Sequence, residues 1–185
     1  MTERSTIFAG FGGQGILFAG TVLARAAMAE GREVLWIPSY GPEMRGGTAS
    51  CTVIVAEEAI GSPVVDQADA VVALNPPSLA KFEPVVAAGG LLVINRSLIE
   101  AEVRRNDVEA VELPCTALAR EAGDDRLVSV VALGALLARR PLVSLASAGA
   151  AIEAIVSAKR PQILEADLAA LRAGYEAAAV ETVPA

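Results

Sequence analysis

Histidine is absent from this 185-residue chain. No step can therefore use imidazole as a base, and no metal can be held by it. Cysteine is scarce. Cys51 and Cys115 stand far apart and form no C-x-x-C pair, so no iron–sulfur or zinc site is visible. Two thiols in a reducing cytosol are the simpler expectation. Aromatic residues make up only 4% of the chain, although hydrophobic residues make up 54%. The apolar share falls on Ala, Val, Leu and Ile, which suits helices packed closely on a buried sheet. Cations are outnumbered, with 15 Lys and Arg against 22 Asp and Glu and a net charge of −7. That balance argues against nucleic acid or anionic membrane as a main partner, because both require a basic face. Residues 5–24 are uncharged, but five glycines and Gln14 interrupt them. They read as a strand, a loop and a buried helix rather than a membrane span. Met1-Thr2-Glu3-Arg4 does not read as a signal peptide, so a cytoplasmic location is expected.

The length suits a single domain over residues 1–185. Apolar runs predict strands at residues 5–10, 33–38, 49–56, 69–74, 91–95 and 108–113. Helices are expected at 15–30, where Gly31 supplies the stop, and at 76–88, opened by prolines. After Pro114 the pattern turns helical, at 116–122, 127–139, 144–158 and 163–179. Strands alternating with helices, followed by closing helices, predict an α/β fold. It is a single Rossmann-like, open and mainly parallel sheet flanked by helices, with a helical C-terminal part.

Two glycine-rich loops stand out. The first is Gly10-Phe11-Gly12-Gly13-Gln14-Gly15, with a strand before it and a helix after it. This context lets backbone N–H groups and a helix N-terminus meet an anion or a partner closely. The plainer reading is a tight strand-to-helix turn. A nicotinamide dinucleotide would want an acid near the end of the second strand, where the chain has Trp36-Ile37-Pro38-Ser39. A P-loop would want Gly-Lys-Ser/Thr after the glycines, and none follows. The second loop is Ser39-Tyr40-Gly41-Pro42-Glu43-Met44-Arg45-Gly46-Gly47. Its glycines and proline shape a turn that carries Glu43, Arg45 and the Tyr40 hydroxyl. Arg45 can clasp a phosphate or carboxylate with its planar fork, or pair with Glu43 on the surface. The two loops are expected at the carboxyl ends of neighbouring strands, where open α/β sheets place their sites. Neither contains a catalytic set: Ser39 has no base to activate it and nothing pairs with Glu43 to tune it. No catalytic residue and no metal ligand is assigned. A module that completes a site on another chain fits better than an enzyme acting alone.

With both loops in hand, the chain resembles the gamma subunit of the 2-oxoacid:ferredoxin (acceptor) oxidoreductases. The resemblance rests on GFGGQGILFAG at 10–20 and SYGPEMRGGTASC at 39–51. It continues through ADAVVAL at 68–74, VALGA at 131–135 and ALRAGY at 170–175, nearly the whole chain. It implies a subunit of a complex that oxidatively decarboxylates a 2-oxoacid and forms an acyl-CoA. Thiamine diphosphate, magnesium and iron–sulfur clusters would lie in companion subunits. Coenzyme A would be co-substrate, and this subunit would pack beside the thiamine site on the coenzyme A side. The form of the second loop is more similar to the 2-oxoglutarate and branched-chain or aryl-oxoacid branches than to the indolepyruvate branch. Gly10, Gly12, Gly13, Gln14, Gly15, Ser39, Tyr40, Gly41, Glu43, Arg45, Gly46 and Gly47 are the expected cofactor-binding or subunit-interface residues. Two departures are noted: Ser129 and Asp167 stand where members of this family often carry Asn. The competing readings are a stand-alone nucleotide-binding Rossmann-like protein and a purely structural subunit of the same complex.

Overall fold

The computed structural model describes residues 3–39, 48–156 and 161–180. Six strands form one sheet: β1 (Arg4–Phe11), β2 (Glu33–Ser39), β3 (Thr48–Ala56), β4 (Ala68–Ala73), β5 (Val86–Asn95) and β6 (Glu109–Leu113). Their order across the sheet is β2-β3-β1-β4-β5-β6. The β1/β4, β4/β5 and β5/β6 pairings are parallel, whereas β3 runs antiparallel to both β1 and β2. The helices are α1 (Ile16–Ala29), α2 (Pro76–Phe82), α3 (Cys115–Ala122), α4 (Val128–Arg139), α5 (Leu145–Ile155) and α6 (Pro161–Val180). The expected α/β architecture, with its mainly parallel sheet and helical C-terminal part, is what the chain adopts.

The sequence reading needs two corrections. First, β1 and β2 run in the same direction but are not neighbours. The β2–β3 hairpin folds back so that β3 lies between them, paired with β1 along its whole length from Arg4↔Val55 to Phe11↔Thr48. The chain leaves β2 and re-enters β3 beside the carboxyl end of β1, so both glycine loops still start from the same edge. Second, the helix expected at 76–88 stops at Phe82 and is followed by a short 3-10 turn, Glu83–Val85. Pro84 has no N–H to continue the helix. Val86 then pairs with Ala68, so β5 begins five residues earlier than its apolar run suggests, across a register shift in the ladder.

Each face of the sheet carries its own core. One is built from Phe8, Val53, Val72, Leu91 and Val93 under α1, α3, α4, α5 and α6. The other is smaller, with Ile7, Ala9, Val71, Leu92 and Ile94 beneath Leu79 and Ile99. Cover on both faces explains why the central strands are continuous apolar runs rather than alternating ones. The edge strand β2 is only half buried and is the one that carries a proline, where a missing ladder donor is tolerated. In α4 ten of twelve residues are buried. It packs on α6 at backbone-to-backbone distance. A Cβ on Gly134 would collide with the Leu171 carbonyl, and one on Gly174 with the Val131 carbonyl. Both cysteines are buried and neither forms a disulfide. Burial pushes the Cys51 thiol up to about 12, and the neighbouring Trp36 indole offsets only part of that rise. This thiol is therefore inert at neutral pH.

Candidate functional site

The carboxyl ends of β1, β4 and β5 form one edge, and a chain of amides ties them together there. Gln14 is the first link. The Phe11 N–H donates to Gln14 Oε1 (2.6 Å), while Gln14 Nε2 donates to the Leu74 carbonyl (3.3 Å). Asn75 Nδ2 donates to the same Gln14 Oε1 (3.3 Å), and Asn75 Oδ1 caps α2 by accepting from the Ser78 N–H (2.9 Å). Asn95 Nδ2 donates to the Leu74 carbonyl (3.3 Å) and to Thr116 Oγ1 (3.0 Å). Asn75 and Asn95 are fully buried. In such a place an amide is stable only because its donors and acceptors are satisfied. Gly10 leaves the room for this: a Cβ there would lie 2.7 Å from Gln14 Oε1.

The loop that Gln14 anchors turns outward. Gly12 and Gly13 are exposed, and Gly13 adopts φ +93° with nothing within 4 Å of where a Cβ would point. Its glycine serves the backbone, since an L side chain rarely adopts that φ. Gly15 caps α1 at φ +75°, and α1 has no side-chain cap on its first turn. Here both conformation and space require glycine, because a Cβ would sit 2.7 Å from Ser129 Oγ.

Beside this loop is a cavity of about 500 Å³. Gly13, Gly15 and Phe18 line it from the first loop and α1, Ser129 and Val130 from α4, and Ile163, Ala166 and Asp167 from α6. Asp124 and Arg126 stand at its rim and are engaged with each other, with Arg126 Nη2 2.6 Å from Asp124 Oδ2. That contact holds the Asp124 carboxyl below the usual carboxylate range. Ser129 is 1% exposed and its hydroxyl has no hydrogen-bond partner. Asp167 is 3% exposed. Burial first, and then the charge of Asp124, pushes its carboxyl up to about 6.

Of the residues singled out from sequence, Gly10, Gly12, Gly13, Gln14 and Gly15 lie together in this loop. Ser39 is exposed at the end of β2, paired in the ladder with Ser50. Tyr40, Gly41, Glu43, Arg45, Gly46 and Gly47 lie outside the described residues. Sequence reasoning missed Asn75 and Asn95. Their signal was present: two apolar runs each end in Asn, in Ala-Leu-Asn and in Val-Ile-Asn. It noted Ser129 and Asp167 only as departures, with no hint that they share a cavity.

Residues 5–177 match the pyruvate ferredoxin/flavodoxin oxidoreductase family. The chain belongs to that family. Among its relatives is the 2-oxoglutarate synthase subunit KorC of Methanothermobacter thermautotrophicus, 35% identical over 175 residues that cover 91% of each chain. The ketoisovalerate oxidoreductase subunit VorA of the same organism is 46% identical over 130 residues, which are 70% of this chain and 27% of VorA. The chain thus spans about a quarter of the length of the VorA relatives it matches. The crystal structure of the keto/oxoacid ferredoxin oxidoreductase gamma subunit from Geobacter sulfurreducens superposes with a TM-score of 0.82. It is 28% identical and covers 95% of this chain and 98% of that one. In this member of the oxidoreductase family, no helix among the described residues is long and apolar enough to cross a membrane.

Proposed function

We propose that residues 1–185 form a single gamma-type domain, working as a subunit of a thiamine-diphosphate-dependent, CoA-acylating 2-oxoacid:ferredoxin oxidoreductase. The substrate class is 2-oxoglutarate, a branched-chain or an aryl 2-oxoacid. The observation that carries the reading is the exposed Gly12-Gly13 turn at the carboxyl edge, anchored from behind by Gln14 in a chain of this family. A rigid turn with bare backbone suits close approach by a cofactor or a companion chain. Family membership and the names of KorC and VorA support the reaction class. Thiamine diphosphate, magnesium and iron–sulfur clusters belong to companion subunits in this reading. They supply the decarboxylation and the electron transfer. This chain's residues bind and position on the coenzyme A side, with Arg45 holding an anionic group rather than moving a proton, since guanidinium stays protonated. A cytoplasmic complex is the expected setting.

The test is co-purification of the chain from its native source, with identification of the partner chains and the oxoacid they oxidise. The expected result is a hetero-oligomer that reduces ferredoxin only when a 2-oxoacid and coenzyme A are both supplied. A monomer that turns over an oxoacid unaided would overturn the proposal, as would a monomer that binds a dinucleotide tightly and joins no partner.

A further inference from the structure

The cavity beside the first loop has chemistry of its own, and it is not that of a phosphate cradle. Its described lining carries two carboxylates, Asp124 and Asp167, and one cation, Arg126. Arg126 is already committed to Asp124, which its Nε and Nη2 both contact. No uncommitted cation therefore faces the space from the described lining residues, and a phosphate entering it would meet carboxylates. Deeper in are two further polar groups. The Ser129 hydroxyl is buried without a partner. Asp167 has no hydrogen bond or ion pair among the described residues, although only 3% of it is exposed. A polar group taken out of water without a partner costs about 1–3 kcal/mol, so a carboxyl facing this cavity with no partner on the chain calls for an explanation. They come from different helices, α4 and α6. The rest of the wall is apolar, with Phe18, Leu127, Val130, Val156 and Ile163.

We infer that this cavity is a binding site for a small ligand with an apolar body and an N–H-donating head, an amide or an amine, received by Asp167. A carboxyl group accepts such a donor whether or not it carries its own proton. The ionised Asp167 rejects a carboxylate or phosphate head, which would bring a second anionic acceptor against it. The inference goes beyond the proposed function and does not depend on it. It concerns the inside of the cavity, which the Gly12-Gly13 turn only borders.

The test is a matched series of benzamide, benzylamine and benzoate, titrated into the full chain. The amide resonances of Gly13, Gly15 and Ser129 are followed by NMR. Benzamide and benzylamine are expected to shift them, with benzoate binding about tenfold more weakly or not at all. Benzylamine should bind more tightly as pH rises through about 6, where Asp167 loses its proton. Asp124 and Arg126, paired with each other, are the other charged groups in the described lining. Asp167→Leu is expected to abolish the preference over benzoate. Should Asp167→Leu fail to fold, Asp167→Asn keeps an acceptor. It should retain benzamide binding while losing the pH-dependent gain for benzylamine. Equal or tighter binding of benzoate would overturn the inference. So would a preference that survives Asp167→Leu, or the absence of any shift with all three probes.

Discussion

At Gly15, the φ of +75° and the Ser129 hydroxyl both oppose a side chain. Gly15→Ala is therefore expected to destabilise the chain by about 2 kcal/mol, of which backbone strain accounts for about 1. Ser129→Ala removes both the obstacle and an unsatisfied buried hydroxyl. By itself it should leave stability unchanged or raise it by up to about 1 kcal/mol. In the double variant part of the Gly15→Ala loss should be recovered. A double-mutant cycle by urea unfolding measures the coupling, and strict additivity would mean the contact is not felt. Asp167 and Glu109 depend on pH in opposite senses. Asp167 has its folded value raised from 3.8 to about 6, so between those values the folded chain holds a proton that the unfolded chain has lost. Stability should thus fall as pH rises from about 4 to about 6, by on the order of 3 kcal/mol, and level off above that. Asp167→Asn should flatten this slope and be the more stable chain at pH 7. Burial alone would raise Glu109, but hydrogen bonds from Arg140 and Arg139 overcome it and lower the carboxyl. Its contribution is present near neutral pH and is lost as pH falls through the depressed value. Unfolding midpoints across pH for wild type and Asp167→Asn separate the two effects.

At the scale of elements, the α4–α6 contact is the one most tightly specified by side-chain size. Gly134 and Gly174 each face a carbonyl of the opposite helix where a methyl group has no room. Gly134→Ala or Gly174→Ala must push the helices apart, and each is expected to cost about 3 kcal/mol or more despite the gain in helix propensity. Gly149 in α5 is the internal control. A Cβ there would meet Leu168 Cδ2 at 3.5 Å, an ordinary contact. Gly149→Ala should accordingly be neutral or stabilise by about 0.5–1 kcal/mol. Thermal unfolding of the three variants decides the matter, and equal effects in all three would show that α4 and α6 are not held at this distance. The contact also bears on the cavity, since Ser129 and Asp167 lie on the same two helices.

For the whole molecule, the outward turn is the place where folding and assembly separate. Gly13 has open space around it but a backbone that resists side chains. Gly13→Val should therefore keep the sheet and lose about 1–3 kcal/mol to strain, while its complex loses most of its oxoacid-dependent turnover. Circular dichroism together with assay of the reassembled complex tests this. Wild-type turnover would reduce the loop to a plain strand-to-helix turn. Arg45→Ala extends the same test to the second loop. It should raise the Michaelis constant for one anionic ligand or weaken assembly, and Arg45→Lys should restore little, because a point charge replaces a fork.

The sequence by itself determined the alternation of strands and helices, because buried parallel strands and their covering helices leave local, periodic apolar patterns. It also marked the first glycine loop, since a strand–glycine–helix junction is written in consecutive residues. Tertiary structure decided whatever depends on residues distant in sequence. Inserting β3 between β1 and β2 is a choice of hydrogen-bonding partner, and an apolar strand reads the same in either direction. The early start of β5 needed Ala68 as a partner for Val86. The amide chain of Gln14, Asn75 and Asn95 exists only where three strand ends meet. Ser129 and Asp167 are polar residues on two separate helices, and nothing local marks them as neighbours. They line one cavity because Gly134 and Gly174 let those helices approach to backbone contact, a fact of packing rather than of pattern.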